Sequence, residues 1–218
     1  MKFPNAAKGI KKIFNAEILN LIALIATSIL LILSVVLASL TESDNNATMG
    51  VLAISILVFG AVAGVMGIIA LILMIVGTIQ TAKDEPSFKM IIYLAVLNII
   101  VAIIAALFSG NQFVNNLANG FNSVVSFITS ILVVIGVANL ARQLLNTELA
   151  EKCAKLLRVV IWVGMLSLMT RFFSIFWGSK VALVIIIFLG VISIILSIIQ
   201  YILYLSMLSK AKKILAES

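Results

Sequence analysis

Long apolar segments alternate with short polar ones along the whole 218-residue chain. We predict six membrane-spanning helices, at about 17–40, 50–80, 90–109, 121–141, 157–177 and 181–206. Each segment has about 20 residues or more, which at 1.5 Å per residue crosses a hydrocarbon layer about 30 Å thick. The segments mix Gly, Ala and Ser with Leu, Ile and Val without strict two-residue alternation, which favours helices over a membrane β-barrel. The pattern therefore predicts an all-α integral membrane protein.

The composition supports this class. Hydrophobic residues make up 63% of the chain and charged residues 11%, whereas soluble domains average about 45–50% and 25%. A cleavable signal peptide is an alternative reading of the basic N-terminus. The apolar run that follows is about 20 residues long, longer than the 7–15 residues of a typical signal-peptide core, so we favour a retained span.

Basic residues predict the orientation. Of the 15 Lys and Arg residues, all but Arg171 and Lys180 lie at the N-terminus, in the joints at 81–89 and 142–158, or at the C-terminus. Short cytoplasmic segments collect positive charge. We therefore predict that both termini are cytoplasmic and that this face carries the net charge of +7.

The ends of the even spans resemble one another. Ala82-Lys83, Ala141-Arg142 and Ser209-Lys210 each place a base directly after a small residue. This similarity predicts a single membrane domain, residues 1–218, built from three helical hairpins at about 8–82, 83–142 and 143–213. Chance likeness among apolar segments is the alternative. Pro86 should break the helix between the first two hairpins, with Asp84 or Ser87 capping the next helix.

Small residues in the second span predict close helix packing. Gly60 and Gly64 form a GxxxG pair, and Ala63 and Gly67 repeat the same spacing. Small residues let helix backbones approach each other in lipid. Packing within the chain is the favoured interpretation, and a homodimer interface is the alternative.

The residues needed for common catalytic sites are scarce. The sequence has no histidine, and Cys153 is its single cysteine, which we expect to be an inert thiol, with reversible acylation as the alternative. No phosphate-binding or HExxH motif is present. The acids Asp84, Glu85, Glu148 and Glu151 fall in joints that we expect to be solvated. We therefore predict no catalytic residues, no metal site, no cofactor and no enzymatic activity.

Polar residues inside the spans are the candidates for a ligand or transport path, because such residues are costly in lipid. We select Asn98, Asn139, Gln200 and Arg171. For Asn98 the alternative is a hydrogen bond between helices. For Arg171 the alternative is a side chain that reaches out to the membrane surface.

Two polar surfaces flank the spans. Residues 110–122 carry amides that alternate with Phe113, Leu117 and Phe121, a pattern that fits a short helix lying on the outer surface of the membrane. An ordered extracellular connection is the favoured interpretation, and a lid that faces a ligand is the alternative. On the inner side, bases are predicted to contact anionic lipid or a partner: Lys8, Lys11, Lys12, Lys83, Lys89, Lys210, Lys212 and Lys213. Dispersed bases at a membrane, with no folded reading domain, disfavour nucleic-acid binding.

Two functions remain open. The first is a non-catalytic accessory, stress or immunity-type factor that binds lipid, a protein partner or a second copy of itself. The second is a small-molecule transporter or its membrane-embedded substrate-binding subunit. In size and number of spans the chain resembles the substrate-binding subunits of vitamin transporters, and its hairpin plan resembles many small bacterial membrane proteins. We expect it to reside in a bacterial cytoplasmic membrane.

Overall fold

The structure is a computed structural model that describes the backbone of residues 2–40, 46–108, 110–174 and 180–217. Within these ranges the regular secondary structure is entirely α-helical. The helices are α1 (Pro4–Leu40), α2 (Asn46–Thr81), α3 (Ser87–Leu107), α4 (Gln112–Gln143), α5 (Thr147–Ser174) and α6 (Lys180–Glu217). The predicted all-α class is confirmed.

Five of the six helices are long and apolar enough to cross a membrane. Their apolar segments among the described residues are Pro4–Val36, Val51–Thr81, Ser87–Leu107, Phe113–Gln143 and Ile187–Glu217. α5 is not among them in a search limited to the described residues; its first three turns carry charged residues from Glu148 to Arg158. The span predicted at 157–177 extends past the end of α5 at Ser174, beyond the described residues. A sixth crossing therefore stays a prediction.

Four helices, α1, α4, α5 and α6, extend well beyond their predicted spans. α1 begins at Pro4 instead of near residue 17, and α6 continues to Glu217. Proline is well suited to the first helical turn, since the N–H it lacks would have no partner there. α4 begins at Gln112, where the Asn111 carboxamide oxygen accepts hydrogen bonds from the Phe113 and Val114 amides at 3.0 and 3.3 Å. The outer segment 110–122 is thus no separate surface helix, because α4 continues without interruption from Gln112 through Gly120 to Gln143.

The chain forms two compact units. The first comprises Met1–Ile10 and Thr78–Ser218, and the second comprises Lys11–Gly77. In the first unit, α3 packs against α4, α4 against α5 and α5 against α6. This order of packing is compatible with the second and third predicted hairpins, and the threefold repeat stays a prediction.

The first unit has a close-packed core towards its basic joints. Its fully buried apolar side chains lie on five helices and include Ile10 on α1, Phe88 on α3, Val137 and Leu140 on α4, Leu149 and Leu156 on α5, and Met207, Leu208 and Leu215 on α6. Phe88 lies so close to Gly136 that a Cβ there would come within 2.5 Å of its ring. Because lipid chains are as apolar as the side chains, such close packing is what stabilises helix association in a membrane.

The joint between α4 and α5 is a tight turn. The Asn146 amide donates to the Ala141 carbonyl at 2.9 Å, and the Leu145 amide donates to the Arg142 carbonyl at 3.0 Å. These two bonds define a Schellman helix end, whose C′ residue takes a left-handed conformation and is usually glycine. Here it is Leu145, with a φ of 56°. The Asn146 side chain then accepts from the Leu149 amide and caps α5.

Candidate functional site

The turn between α2 and α3 binds the N-terminal segment. Asp84 lies in this turn and is half-buried. Its carboxylate accepts hydrogen bonds from the Asn5 side-chain amide at 2.9 Å and from the Ala6 backbone amide at 2.8 Å. Ala6 lies in the first turn of α1, where backbone N–H groups have no partner within the helix. Asp84 therefore caps α1, and not the following helix as the sequence predicted.

Glu85, the next residue, is a buried carboxylate with an exposed fraction of 2%. One of its oxygens accepts from the Ser87 hydroxyl at 2.8 Å, from the Ser87 amide at 3.4 Å and from the Asn139 side chain at 3.2 Å. The expectation of a solvated carboxylate was wrong for this residue. The polar turn folds inward because the start of α3 and an amide on α4 supply the donors that a buried charge requires.

Two further contacts connect the segment 142–158 with the N-terminal segment and with the end of α6. The Lys2 ammonium donates to the Gln143 carbonyl at 2.9 Å, and Lys210 near the end of α6 pairs with Glu148 at the start of α5. Glu148 itself is well exposed, so this ion pair contributes little to stability on its own. Together these contacts connect residues 2–10, 81–89, 142–158 and 207–217, which we name the basic end.

Several predicted lipid contacts are exposed at or beside the basic end. Exposed ammonium-bearing side chains among the predicted residues are Lys8, Lys11, Lys83, Lys89 and Lys213. Lys12 and Lys212 are half-buried, and Lys210 is engaged with Glu148. Lys155 and Arg158 on α5 are also exposed. Among the acids at this end, Asp84 is half-buried, Glu85 is buried and Glu148 pairs with Lys210, whereas most of the bases are exposed.

Cys153 lies in the core of the basic end with an exposed fraction of 1%. Burial raises the pKa of its thiol to about 11, and the positive charge of Arg142 offsets only part of this shift. The thiolate is the reactive form of cysteine. This arrangement favours the inert thiol over an acylation site.

Three of the four candidates for a transport path have described side chains, and these three are not brought together. Asn98 donates to the Asn122 side chain at 3.1 Å, which is a bond between α3 and α4. Asn139 donates to Glu85. Gln200 lines a cavity that contains neither of them, and the side chain of Arg171 lies outside the described residues. A shared path through these residues stays a prediction.

The cavity at Gln200 is an open cleft of about 510 Å³ between α4, α5 and α6. Its wall is mainly apolar, and the Phe127 ring lies directly on Gly164, where a Cβ would overlap it. The wall also contains four serines, Ser123, Ser126, Ser130 and Ser167. Sequence reasoning missed these serines. Their signal was the spacing of the three on α4, at i, i+3 and i+7, which places them on one helix face.

The small residues of α2 are only partly covered within the second unit. A Cβ on Gly60 would lie 3.3 Å from the Leu30 side chain of α1. Among the described residues, nothing lies within 4 Å of the Cβ positions of Gly64 and Gly67. Packing within the chain thus accounts for the first residue of the motif, and a homodimer interface stays a prediction for the others.

Comparison with known proteins gives no functional assignment. No group of three or more potential metal-binding acids or cysteines occurs in the described ranges. No protein-family model matches the chain, and neither does any curated protein or solved structure. The basic end and the cleft are therefore the two features from which a function must be argued.

Proposed function

We propose that this chain is a non-catalytic, multi-pass membrane protein that acts by binding anionic lipid headgroups at its basic end. The observation that carries the proposal is the difference in exposure between the acids and the bases there. Asp84 caps α1 and Glu85 is buried, whereas Lys8, Lys83 and Lys89 are exposed. The exposed surface is consequently more basic than the composition of the joints alone implies.

Electrostatics at a membrane surface favours this partner. Each base near an anionic leaflet contributes about 1 kcal/mol, which is about fivefold in affinity. Lys8, Lys83 and Lys89 are exposed within residues 2–10 and 81–89, two segments that Asp84 joins directly. Several bases held on one connected framework lose less conformational freedom on binding than the same bases on separate loops.

The proposal includes an orientation. The basic end faces the cytoplasm of a bacterial cell, with both termini on that side and α5 completing six crossings. Contacts between the N-terminal segment, the two basic joints and the end of α6 support this arrangement, because six crossings return the chain to the side where it began. An accessory, stress or immunity-type role, with a protein partner docked on the same surface, is compatible with it.

A test uses lipid retention after purification. The protein is reconstituted in nanodiscs of phosphatidylcholine with a minor share of phosphatidylglycerol, and the lipids that remain bound in mild detergent are quantified by native mass spectrometry. Replacing Lys8, Lys83 and Lys89 with glutamine should lower phosphatidylglycerol retention by about fivefold per residue at low salt. Lys180→Gln is the matched control, since Lys180 lies away from the basic end in the sequence pattern. Equal retention by the triple variant and the control would refute the proposal.

The second candidate function is that of a small-molecule transporter or its substrate-binding subunit. The cleft favours it, because about 510 Å³ falls within the range of about 300–1,000 Å³ that is usual for small-molecule sites. Uptake into proteoliposomes, compared between the wild type and Gln200→Leu, tests this alternative. A loss of uptake with unchanged retention of anionic lipid would favour transport.

A further inference from the structure

The cleft between α4, α5 and α6 is built differently from the rest of the lipid-facing surface. Elsewhere, side chains such as Ile99, Ile103 and Ile194 project outward and are exposed by about half. In the cleft, Gly164 has no side chain, and the Phe127 ring occupies the position where a Cβ would lie. The recess beside this ring is bordered by Val160 and Val163 on the α5 side.

The cleft extends along the helices. Its lining on α4 runs from Ser123 to Ser130, a distance of about 10 Å at 1.5 Å per residue. Ser123 and Ser130 donate their hydroxyl hydrogens to the carbonyls of Asn119 and Ser126, one turn earlier in the same helix. Those donors are thus already used. An ordered water needs about two to four polar partners, so a mainly apolar wall of this kind does not favour a water-filled cavity.

Gln200 occupies one end of the cleft with an amide that makes no hydrogen bond to any described residue. Its depth follows from the ion pair between Lys210 and Glu148. Gln200 precedes Lys210 by ten residues on α6, and Arg158 follows Glu148 by ten residues on α5. Arg158 is the last charged residue before the apolar part of α5. Gln200 therefore lies where the charged part of the protein meets the apolar part, about 15 Å from the ion pair.

We propose that the cleft is a binding site for one acyl chain of a bilayer phospholipid, whose ester carbonyl accepts a hydrogen bond from the Gln200 amide. The headgroup, ester and acyl chain of a phospholipid follow the same order as the charged end of the protein, the Gln200 amide and the apolar wall of the cleft. Its ester lies between the headgroup and the chain, at the border of the hydrocarbon layer. The amide satisfies the ester oxygen, and the chain lies along the recess beside Phe127 and Gly164, in contact with apolar side chains.

This site is independent of the anionic-lipid surface, because it recognises the chain and its ester instead of the headgroup charge. The probe is accordingly a zwitterionic phosphatidylcholine with a photoactivatable diazirine in the middle of one acyl chain. The full-length protein is reconstituted with this lipid and irradiated, and the crosslinked peptides are identified by mass spectrometry. The yield of crosslinks at the cleft is compared with the yield on the exposed face of α2.

Two variants and one control make the result specific. Ser167→Phe fills the cleft and should abolish crosslinks to residues 123–130 and 160–167. Gln200→Leu keeps the cleft but removes one hydrogen bond, so labelling there should fall by about 2- to 10-fold. Ser197→Phe adds the same bulk at an exposed position of α6 that does not line the cleft, and should leave the pattern unchanged. Protection of Cys153 from maleimide verifies that each variant is folded.

Crosslinks concentrated in the cleft and lost in Ser167→Phe would establish the site, even if the lysine variants at the basic end retained anionic lipid normally. Labelling spread evenly over all exposed helix faces would overturn the proposal, since it would indicate ordinary surrounding lipid. Equal labelling of the wild type and Gln200→Leu would refute the assigned role of the amide. Absence of lipid crosslinks from the cleft, with labelling of the other exposed helix faces retained, would also contradict it, because the cleft would then be closed to lipid, for example by a second copy of the chain.

Discussion

Replacing Glu85 tests whether the buried carboxylate holds the basic end together. Its oxygen accepts one bond from Asn139 on α4 and two from Ser87 at the start of α3. A hydrogen bond to a charged group contributes about 1.5–3 kcal/mol, and a negative charge at a helix N-terminus adds about 0.3–1 kcal/mol. Ser87 is half-buried and can turn to water, so the bond from Asn139 dominates. We expect Glu85→Ala to lower the free energy of unfolding by about 2–4 kcal/mol.

Cys153 supplies the assay, because it is the single cysteine and is 1% exposed. A fluorescent maleimide reacts with it only when the structure opens. When closing is faster than labelling, the labelling rate follows the population of the open state. Glu85→Ala should therefore be labelled about 30- to 700-fold faster than the wild type, since about 1.4 kcal/mol corresponds to a factor of ten.

Controls separate the hydrogen bonds from the loss of an acid. Glu85→Gln keeps the shape and the acceptor oxygen but not the charge, and neutral hydrogen bonds have about half the strength, so we expect an effect of about fivefold. Glu151→Ala removes an exposed acid from the same end and should change labelling by less than about threefold. If Glu85→Ala and Glu151→Ala were labelled at the same rate, the carboxylate would have no stabilising role and the reasoning would fail.

Three further predictions concern packing, ionisation and backbone conformation. Gly136→Ala should lower the unfolding free energy by about 1–3 kcal/mol, because the new Cβ would meet the Phe88 ring. Gly190→Ala is the control: open space surrounds this position, so the substitution should be neutral or stabilising. Thermal unfolding compares the two proteins directly. Since the pKa of Cys153 is raised from 9.0 to about 11, the native state retains its proton, and stability present below pH 9 should be lost between pH 9 and 11. Between pH 9 and 11 the melting temperature of Cys153→Ala should fall less steeply than that of the wild type. If the two melting temperatures changed in parallel with pH, the raised pKa assigned to Cys153 would be contradicted. Leu145→Gly should raise the melting temperature by relieving the left-handed conformation, unless the exposed leucine itself binds lipid, in which case the gain would appear only in detergent.

Hydropathy alone was enough to place the apolar segments, because an uninterrupted run of about 20 apolar residues has few other stable environments. It misplaced the start of α1. The bases Lys8, Lys11 and Lys12 look like a polar flank, whereas the buried Ala6, Ile10 and Ile13 give that segment a continuous helical face. The period of the apolar residues, and not the mean hydropathy, carried the correct signal.

The burial of Glu85 could not be read from its neighbours in the sequence. A turn with Lys83, Asp84 and Pro86 has the composition of a solvated joint. What buries the carboxylate is an amide on Asn139, 54 residues further along the chain. Such a pairing depends on how α3 packs against α4, which local pattern does not specify. The cleft was missed for a similar reason, since its shape arises from Phe127 meeting Gly164 on another helix.

The cap of α1 by Asp84 has a consequence for biosynthesis. Lys2, Asn5 and Ala6 are synthesised before their partners Asp84 and Gln143, which follow 78 to 141 residues later. The N-terminal turn can therefore be completed only after translation has passed the second helix, and its last contact waits for the fourth. This segment is thus made well before the residues that fix it, which leaves it available to chaperones or the insertion machinery while α1 to α4 are synthesised.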